Sequence, residues 1–274
     1  VATIEITKIY PSYPHKVYME FELTGLKRIS VPTPSYSIYI ERSESPHVTD
    51  SWTLVNPTGC DEFYYIDDLP FLMNFTRKPY YRAYFNQGSE KIYSEVETIG
   101  RDLPRHLFLV KRKILHDELL VLKKLTGVKI AVIKRRHWGE HCSTCYDPNT
   151  GRTTRTHCPE CLGTGYKNPY HQPFLTYGKR LPEVENINLT RDNAVGSDDY
   201  TKMQLLDFPS LTPQDIIIDL AVNDRYKVEK VEPTELQRVV VHQEVIISKL
   251  ARTAPEYKIL IPNNLVDISD QISL

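Results

Sequence analysis

The residues in this 274-residue chain best suited to chemistry are four cysteines in two pairs. Cys142 and Cys145 form one Cys-x-x-Cys knuckle, Cys158 and Cys161 form a second, and twelve residues separate them. A two-residue spacer lets both sulfurs of a pair face one point. Two such knuckles offer four soft thiolates in the tetrahedral arrangement that suits zinc. Four cysteines fill the coordination shell, so the expected zinc is structural rather than catalytic. It would anchor a segment too short to build a core of its own. Two disulfides would instead need an oxidising compartment, and redox chemistry commonly uses a single pair at a helix N-terminus. His141 and His157 adjoin the ligands and are expected to be exposed loop residues. Cys60 stands alone in a Gly-Cys-Asp turn and is expected to be a free thiol.

A search for catalytic groupings finds no Gly-x-Ser-x-Gly elbow, phosphate loop, His-Glu-x-x-His or dinucleotide fingerprint. The nine histidines are scattered, without a helical i, i+4 pair. His116-Asp117-Glu118 reads as a solvated helix face, and Asp67-Asp68 and Asp198-Asp199 read as turn acids. The chain is therefore not expected to be an enzyme.

The elements that must position the cysteines have their own signatures. Asp147-Pro148-Asn149-Thr150-Gly151 is a turn sequence and Arg152–Thr156 is β-compatible, so a hairpin is expected between the knuckles. Cys158-Pro159-Glu160-Cys161-Leu162-Gly163-Thr164-Gly165 resembles the Cys-x-x-Cys-x-Gly-x-Gly repeat of heat-shock co-chaperones. It occurs once here and no J-domain accompanies it, so the likeness is to knuckle geometry, with glycines permitting a positive-φ turn. Ahead of the ribbon, GVKIAVIKRR reads as a basic strand. Before that strand, a helix of about 24 residues is expected from Asp102 to Leu125, with Asp102 as cap and Gly127 as stop. Its apolar stripe is expected at Leu107, Val110, Ile114, Val121 and Leu125.

Nineteen Pro, eleven Gly and eighteen Tyr favour short strands and stiff connections. In residues 1–100, seven runs rich in Tyr, Ile, Val and Thr are separated by turn residues, which suggests a β-sandwich. Leu69, the Tyr80–Phe85 run, the turn Asn86-Gln87-Gly88-Ser89 and Tyr93-Ser94-Glu95-Val96 resemble the sixth and seventh strands of fibronectin type III domains. That resemblance implies a module that positions other parts or binds partners. After a polar stretch, Asp215–Leu220 reads as a strand, Asn223-Asp224 as a tight turn and Arg225–Val231 as an alternating strand. Pro233-Thr234 reads as a turn, and Leu236–Leu250 as a long strand or two continuous ones. The expected fold is mainly β. It comprises a fibronectin type III-like sandwich (1–100), a long helix, basic strand and four-Cys ribbon (101–180), a linker or extended arm (181–210), and a small β-barrel-like domain with a C-terminal tail (211–274).

Charge sharpens the division. The formal sum of -1 excludes a general polycation, but residues 1–100 carry nine basic and thirteen acidic groups, 101–180 sixteen and six, and 181–274 nine and sixteen. No apolar run approaches the ~18 residues of a membrane span. The N-terminal residues show neither a charged nor an apolar targeting region, so a soluble, unsecreted chain without a membrane partner is expected.

The strand order after residue 211 resembles the small barrel of tailed-bacteriophage neck proteins, the head-closure or connector subunits between portal-bound adaptor and tail. The segment Trp138–Tyr166 with Pro169 looks like segments of phage virion proteins. The resemblance implies a structural virion protein that forms a homo-oligomeric ring joining head to tail. Its implied partners are neighbouring copies and other neck, portal-adaptor or tail proteins, with packaged DNA facing the basic block at 101–180. The alternative is a cytoplasmic zinc-ribbon protein that binds nucleic acid through Arg152, Arg155 and Lys167.

Overall fold

A computed structural model describes residues 2–12, 16–25, 37–47, 51–68, 79–99, 104–147, 149–150, 152–155, 158–181, 200–236, 239–262 and 265–267. Among the described residues the fold is mainly β with one α-helix, and the contacts fall into two units. The first is Val1–Arg112 with Arg136–His171, and the second is Lys113–Arg135 with Gln172–Leu274.

In the first unit, strands β1 (Thr3–Ser12), β2 (Lys16–Thr24), β3 (Ile38–Ser43), β4 (Thr53–Leu54), β5 (Tyr64–Asp68), β6 (Tyr80–Gln87), β7 (Glu90–Tyr93) and β8 (Glu97–Thr98) form two sheets. One has the order β1-β2-β5; the other runs β4-β3-β6-β7, with β8 also paired to β6. Alternation decides what is buried. Ile4 and Ile6, then Val17, Met19, Phe21 and Leu23, meet Ile38, Ile40, Tyr81, Ala83 and Phe85 of the other sheet in one core. Polar groups drawn inward are paired, as buried groups must be. Asn56 accepts from the Ile40 amide (2.6 Å) and donates to the Ile38 carbonyl (2.9 Å). Asp67 is a buried strand residue rather than a turn acid, and it accepts from Arg42 (2.6 Å) and Tyr81 (2.8 Å). Leu69, Asp198 and Asp199 lie outside the described residues.

Helix α1 (Arg105–Val121) continues into a π-helical turn, Leu122–Thr126, closed by the Gly127 amide on the Leu122 carbonyl (2.9 Å). Gly127 is needed for space, because a Cβ there would collide with that carbonyl. Asp102 lies outside the described residues. The expected apolar stripe is not the buried face: Leu115, Leu119 and Leu122 are buried, whereas Val110, Val121 and Leu125 are exposed. Both sets satisfy helical spacing, so periodicity could not choose between them.

Strand β9 (Val128–Ile133) leads toward the ribbon strands β10 (Tyr146–Asp147) and β11 (Arg152–Thr153), which belong to the first unit. The remaining strands are β12 (Phe174–Arg180), β13 (Tyr200–Leu206), β14 (Ile216–Asp219), β15 (Asp224–Leu236), β16 (Val239–Lys249) and β17 (Val266–Asp267). In the second unit the order β13-β16-β15-β14-β9-β12 closes on itself where Gly178–Arg180 pairs with Leu205–Met203, making a six-stranded barrel. Ile130, Val132, Met203, Leu205, Ile217, Val228, Val245 and Ile247 are in its core. At the closure, Gly178 leaves room that a side chain would fill: a Cβ there would lie 2.8 Å from Met203 Sδ and 3.0 Å from Ile130 Cδ1.

The barrel therefore does not begin at residue 211. The basic strand expected beside the ribbon is barrel strand β9, and Tyr200–Leu206, expected in an arm, is barrel strand β13. Residues 182–199 of that arm lie outside the described residues. Pro233 and Thr234 do not make a turn either; β15 runs through them with a register shift between Thr234 and Glu235. Proline is tolerated there because no described strand pairs with the other edge of β15 beyond Val228.

Candidate metal centre

The ribbon is built by local backbone geometry. Tyr146 pairs with Thr153 and Asp147 with Arg152, giving the hairpin that the sequence implied between the knuckles. The Asp147 carboxylate starts the turn by accepting from the Asn149 amide (2.9 Å) and the Thr150 hydroxyl (2.8 Å). In the second knuckle, the Leu162 amide donates to the Cys158 carbonyl (2.9 Å) and the Thr164 amide to the Cys161 carbonyl (2.8 Å). The chain then turns through positive φ at Leu162 (49°), Gly163 (81°) and Gly165 (85°). Gly165 is constrained twice, since a Cβ there would also lie 2.7 Å from Thr153 Cγ2. The two knuckles are tied by the Cys142 amide to the Gly165 carbonyl (2.8 Å), and Glu160 accepts from the Thr144 hydroxyl.

This framework brings Cys142, Cys145, Cys158 and Cys161 together. All four are buried and free of disulfides, and their sulfurs lie within 4.8 Å of one another. Cys142 Sγ is 3.9 Å from Cys158 Sγ, and Cys145 Sγ is 3.2 Å from Cys161 Sγ. A disulfide needs ~2.05 Å, whereas metal–sulfur bonds of ~2.3 Å at tetrahedral angles place sulfurs ~3.8 Å apart. The cluster is therefore spaced to hold a metal ion. Burial pushes the Cys142 and Cys145 thiols up. Backbone amides of Cys161 and Glu160 bring Cys158 down to about 7, toward the thiolate that a metal requires.

Residues outside the ligand set depart from expectation in three places. His141 is not simply an exposed loop residue. Its ring stacks on Tyr146 (3.7 Å, 5°) and faces Tyr166 (5.1 Å, 21°), while His157 lies outside the described residues. The signal that could have found this is its β-bridge partner Tyr166, which is remote enough in sequence to be ambiguous. Trp138 is buried in the sandwich core, with Arg136 over its ring at 5.5 Å and His171 at 5.4 Å. Arg136 also binds Asp61 (3.1 Å) and His171 faces Glu62 (3.1 Å), so the base of the ribbon is fixed to the sandwich by apolar and ionic contacts. Glu118 is not simply solvated; it is half-buried against His242 of β16 (3.1 Å), and burial raises its pKa.

The basic residues suggested as nucleic-acid contacts, Arg152, Arg155 and Lys167, are exposed, and Lys167 pairs with Glu140 (3.3 Å). Cys60 is a free thiol as expected. It donates to the Tyr64 carbonyl (3.3 Å), and burial pushes its pKa up to about 11. No helix among the described residues is long and apolar enough to cross a membrane. Comparison of the chain with protein-family models, with curated proteins and with solved structures gives no match in any of the three.

Proposed function

We propose that this chain is a structural virion protein of a tailed bacteriophage, a ring-forming subunit at the neck or head-to-tail junction. The observation that carries the reading is the closed six-stranded barrel. The resemblance to neck proteins implies a small barrel there, and β14, β15 and β16 supply three of its six walls. The metal centre is assigned a structural zinc, because four thiolates leave no coordination position for substrate. The N-terminal sheets are assigned to a fibronectin type III-like module, supported by three strands in the order β1-β2-β5 facing a β4-β3-β6-β7 sheet across one core. The work of such a subunit is mechanical: holding neighbouring copies and neck, portal-adaptor or tail proteins together, with its basic block toward acidic partners or packaged DNA. Mass spectrometry of purified virions and imaging of the particle test the reading. The chain is expected in stoichiometric, ring-like copy number, and its absence from virions overturns the assignment.

A second reading, a cytoplasmic zinc-ribbon protein that binds nucleic acid, is favoured by one observation. Exposed Arg152 and Arg155 lie on a ribbon whose Tyr146, His141 and Tyr166 rings form a stack, and basic and aromatic groups together suit a single strand. Salt-dependent binding of single-stranded DNA by the full chain, lost on replacing both arginines by alanine, would move the assignment to this reading.

A further inference from the structure

The spacer residues of the two knuckles form the exposed side of the metal centre. The four ligand cysteines are no more than 2% exposed, whereas Ser143, Thr144, Pro159 and Glu160 between them are exposed. Glu160 is the one charged residue at these spacer positions. Its Oε2 lies 3.6 Å from Cys142 Sγ and also accepts from the Thr144 hydroxyl. The carboxylate therefore bridges the seam between the knuckles and rests against a ligand. The other two acids of residues 138–166 are engaged elsewhere. Glu140 pairs with Lys167 (3.3 Å), and Asp147 holds the hairpin turn through the Asn149 amide (2.9 Å) and the Thr150 hydroxyl (2.8 Å).

A carboxylate in this position does not help to retain a metal. Four thiolates around a divalent ion leave an excess of negative charge. Backbone amides offset it, those of Thr144 and Cys145 at Cys142 and those of Glu160 and Cys161 at Cys158. The Glu160 side chain adds to the excess at Cys142, where like charges repel. Nor is it needed as a fifth ligand, since four sulfurs complete a tetrahedral shell. What it supplies is attraction before an ion is bound. Exposed Arg152 and Arg155 on the neighbouring hairpin repel a cation, so a local negative group must draw one to the seam. Carboxylate oxygen is itself a zinc donor, which suits it to a transient contact at the surface.

We infer that Glu160 is the entry residue of the metal centre: its carboxylate receives a divalent cation at the surface and passes it to Cys142 across the seam that Thr144 closes. This proposal rests on the assignment of the four cysteines as a zinc site and is independent of where the chain works.

Zinc uptake and release by the full chain test it. Uptake is followed in a stopped-flow instrument with zinc ion and a chromophoric indicator, and release is followed from the loaded chain under excess strong chelator. Glu160→Gln keeps an acceptor for Thr144 and removes the charge. It is expected to slow uptake by about tenfold and to slow release as well, with one zinc still bound per chain. Glu140→Gln removes an equal charge from the ribbon away from the sulfurs, and both its rates are expected to match wild type. Were Glu160 merely a tie between the knuckles, its loss would loosen the site and speed release, the opposite sign. Faster release, unchanged uptake, or equal slowing by both variants would each overturn the proposal. Should circular dichroism show that the glutamine variant fails to fold, Glu160→Asp, which draws the carboxylate back by one methylene, takes its place with the same expected slowing. A wild-type chain that binds no zinc defeats the metal assignment and this proposal with it. A chain that binds one zinc at rates indifferent to Glu160 keeps the centre and loses the entry residue.

Discussion

The ribbon and the barrel fix their chains by opposite means. The ribbon between Cys142 and Cys161 has two-residue strands, and the four sulfurs are its buried cluster. Nearly every contact within it joins residues within about thirty positions of one another, and the energy that should hold those contacts is metal coordination. The barrel uses no special chemistry. Its strands come from residues 128–133, 174–180 and 200–249, and it stands because a continuous apolar interior offsets the entropy of bringing distant segments together. A local device tolerates little change in a few residues. A distributed one tolerates change almost anywhere except at its closest approaches.

The largest expected effect breaks the ribbon alone. Replacing Cys161 or Cys142 by serine, or applying a strong chelator, is expected to remove one zinc per chain, measured by elemental analysis. A Trp52→Phe background leaves Trp138 as the sole tryptophan, and its emission should shift as the ribbon base loosens, while the barrel's unfolding transition stays in place. A folded wild-type chain free of metal would defeat the metal-held side of the comparison.

The converse is Ile247→Ala in the barrel core, expected to lower stability by about 2–5 kcal/mol in denaturant titration without changing metal content. Gly178→Val belongs to the same class, because it places methyl groups against Met203 and Ile130 where the barrel closes. A smaller effect is expected for Gly165→Ala, which forces a side chain onto φ +85° against Thr153; about 1–3 kcal/mol of strain should appear as weaker metal retention under competing chelator.

The smallest effects are electrostatic. Lys249 beside Asp224 holds that carboxylate below its ordinary range. The pair's contribution is therefore complete above the usual aspartate pKa and is lost as pH falls through the lower folded value. Asp224→Asn should remove this acid-side slope from the stability curve, and an unchanged slope would show that the pair contributes nothing. Cys60, with its thiol pushed up to about 11, should resist alkylation at neutral pH in the folded chain, whereas all five cysteines react after chelation and denaturation.

Legibility followed the same divide. The metal ligands, the hairpin between them, the glycine turn and the strand runs of residues 1–100 could be read directly, because each depends on spacing within a few residues. The helix was visible but its buried face was not: Leu115, Leu119 and Leu122 obey the same period as Val110, Val121 and Leu125. His141 looked like a loop residue because spacing along the chain does not reveal that the ribbon brings the rings of both Tyr146 and Tyr166 against it. Trp138 looked like part of the cysteine motif, yet it completes the sandwich core.

By itself the sequence determined the cysteine ligand set, the β character, the turns and the uneven charge, all properties of near neighbours along the chain. Only the tertiary structure decided that β9, β12 and β13 join the C-terminal strands in one closed wall. It also decided which leucines of the helix are buried. The reason is physical: strand pairing saturates backbone hydrogen bonds irrespective of side chain, so which strands become neighbours is settled by the best global burial of apolar surface. That quantity belongs to the whole fold and to no single segment.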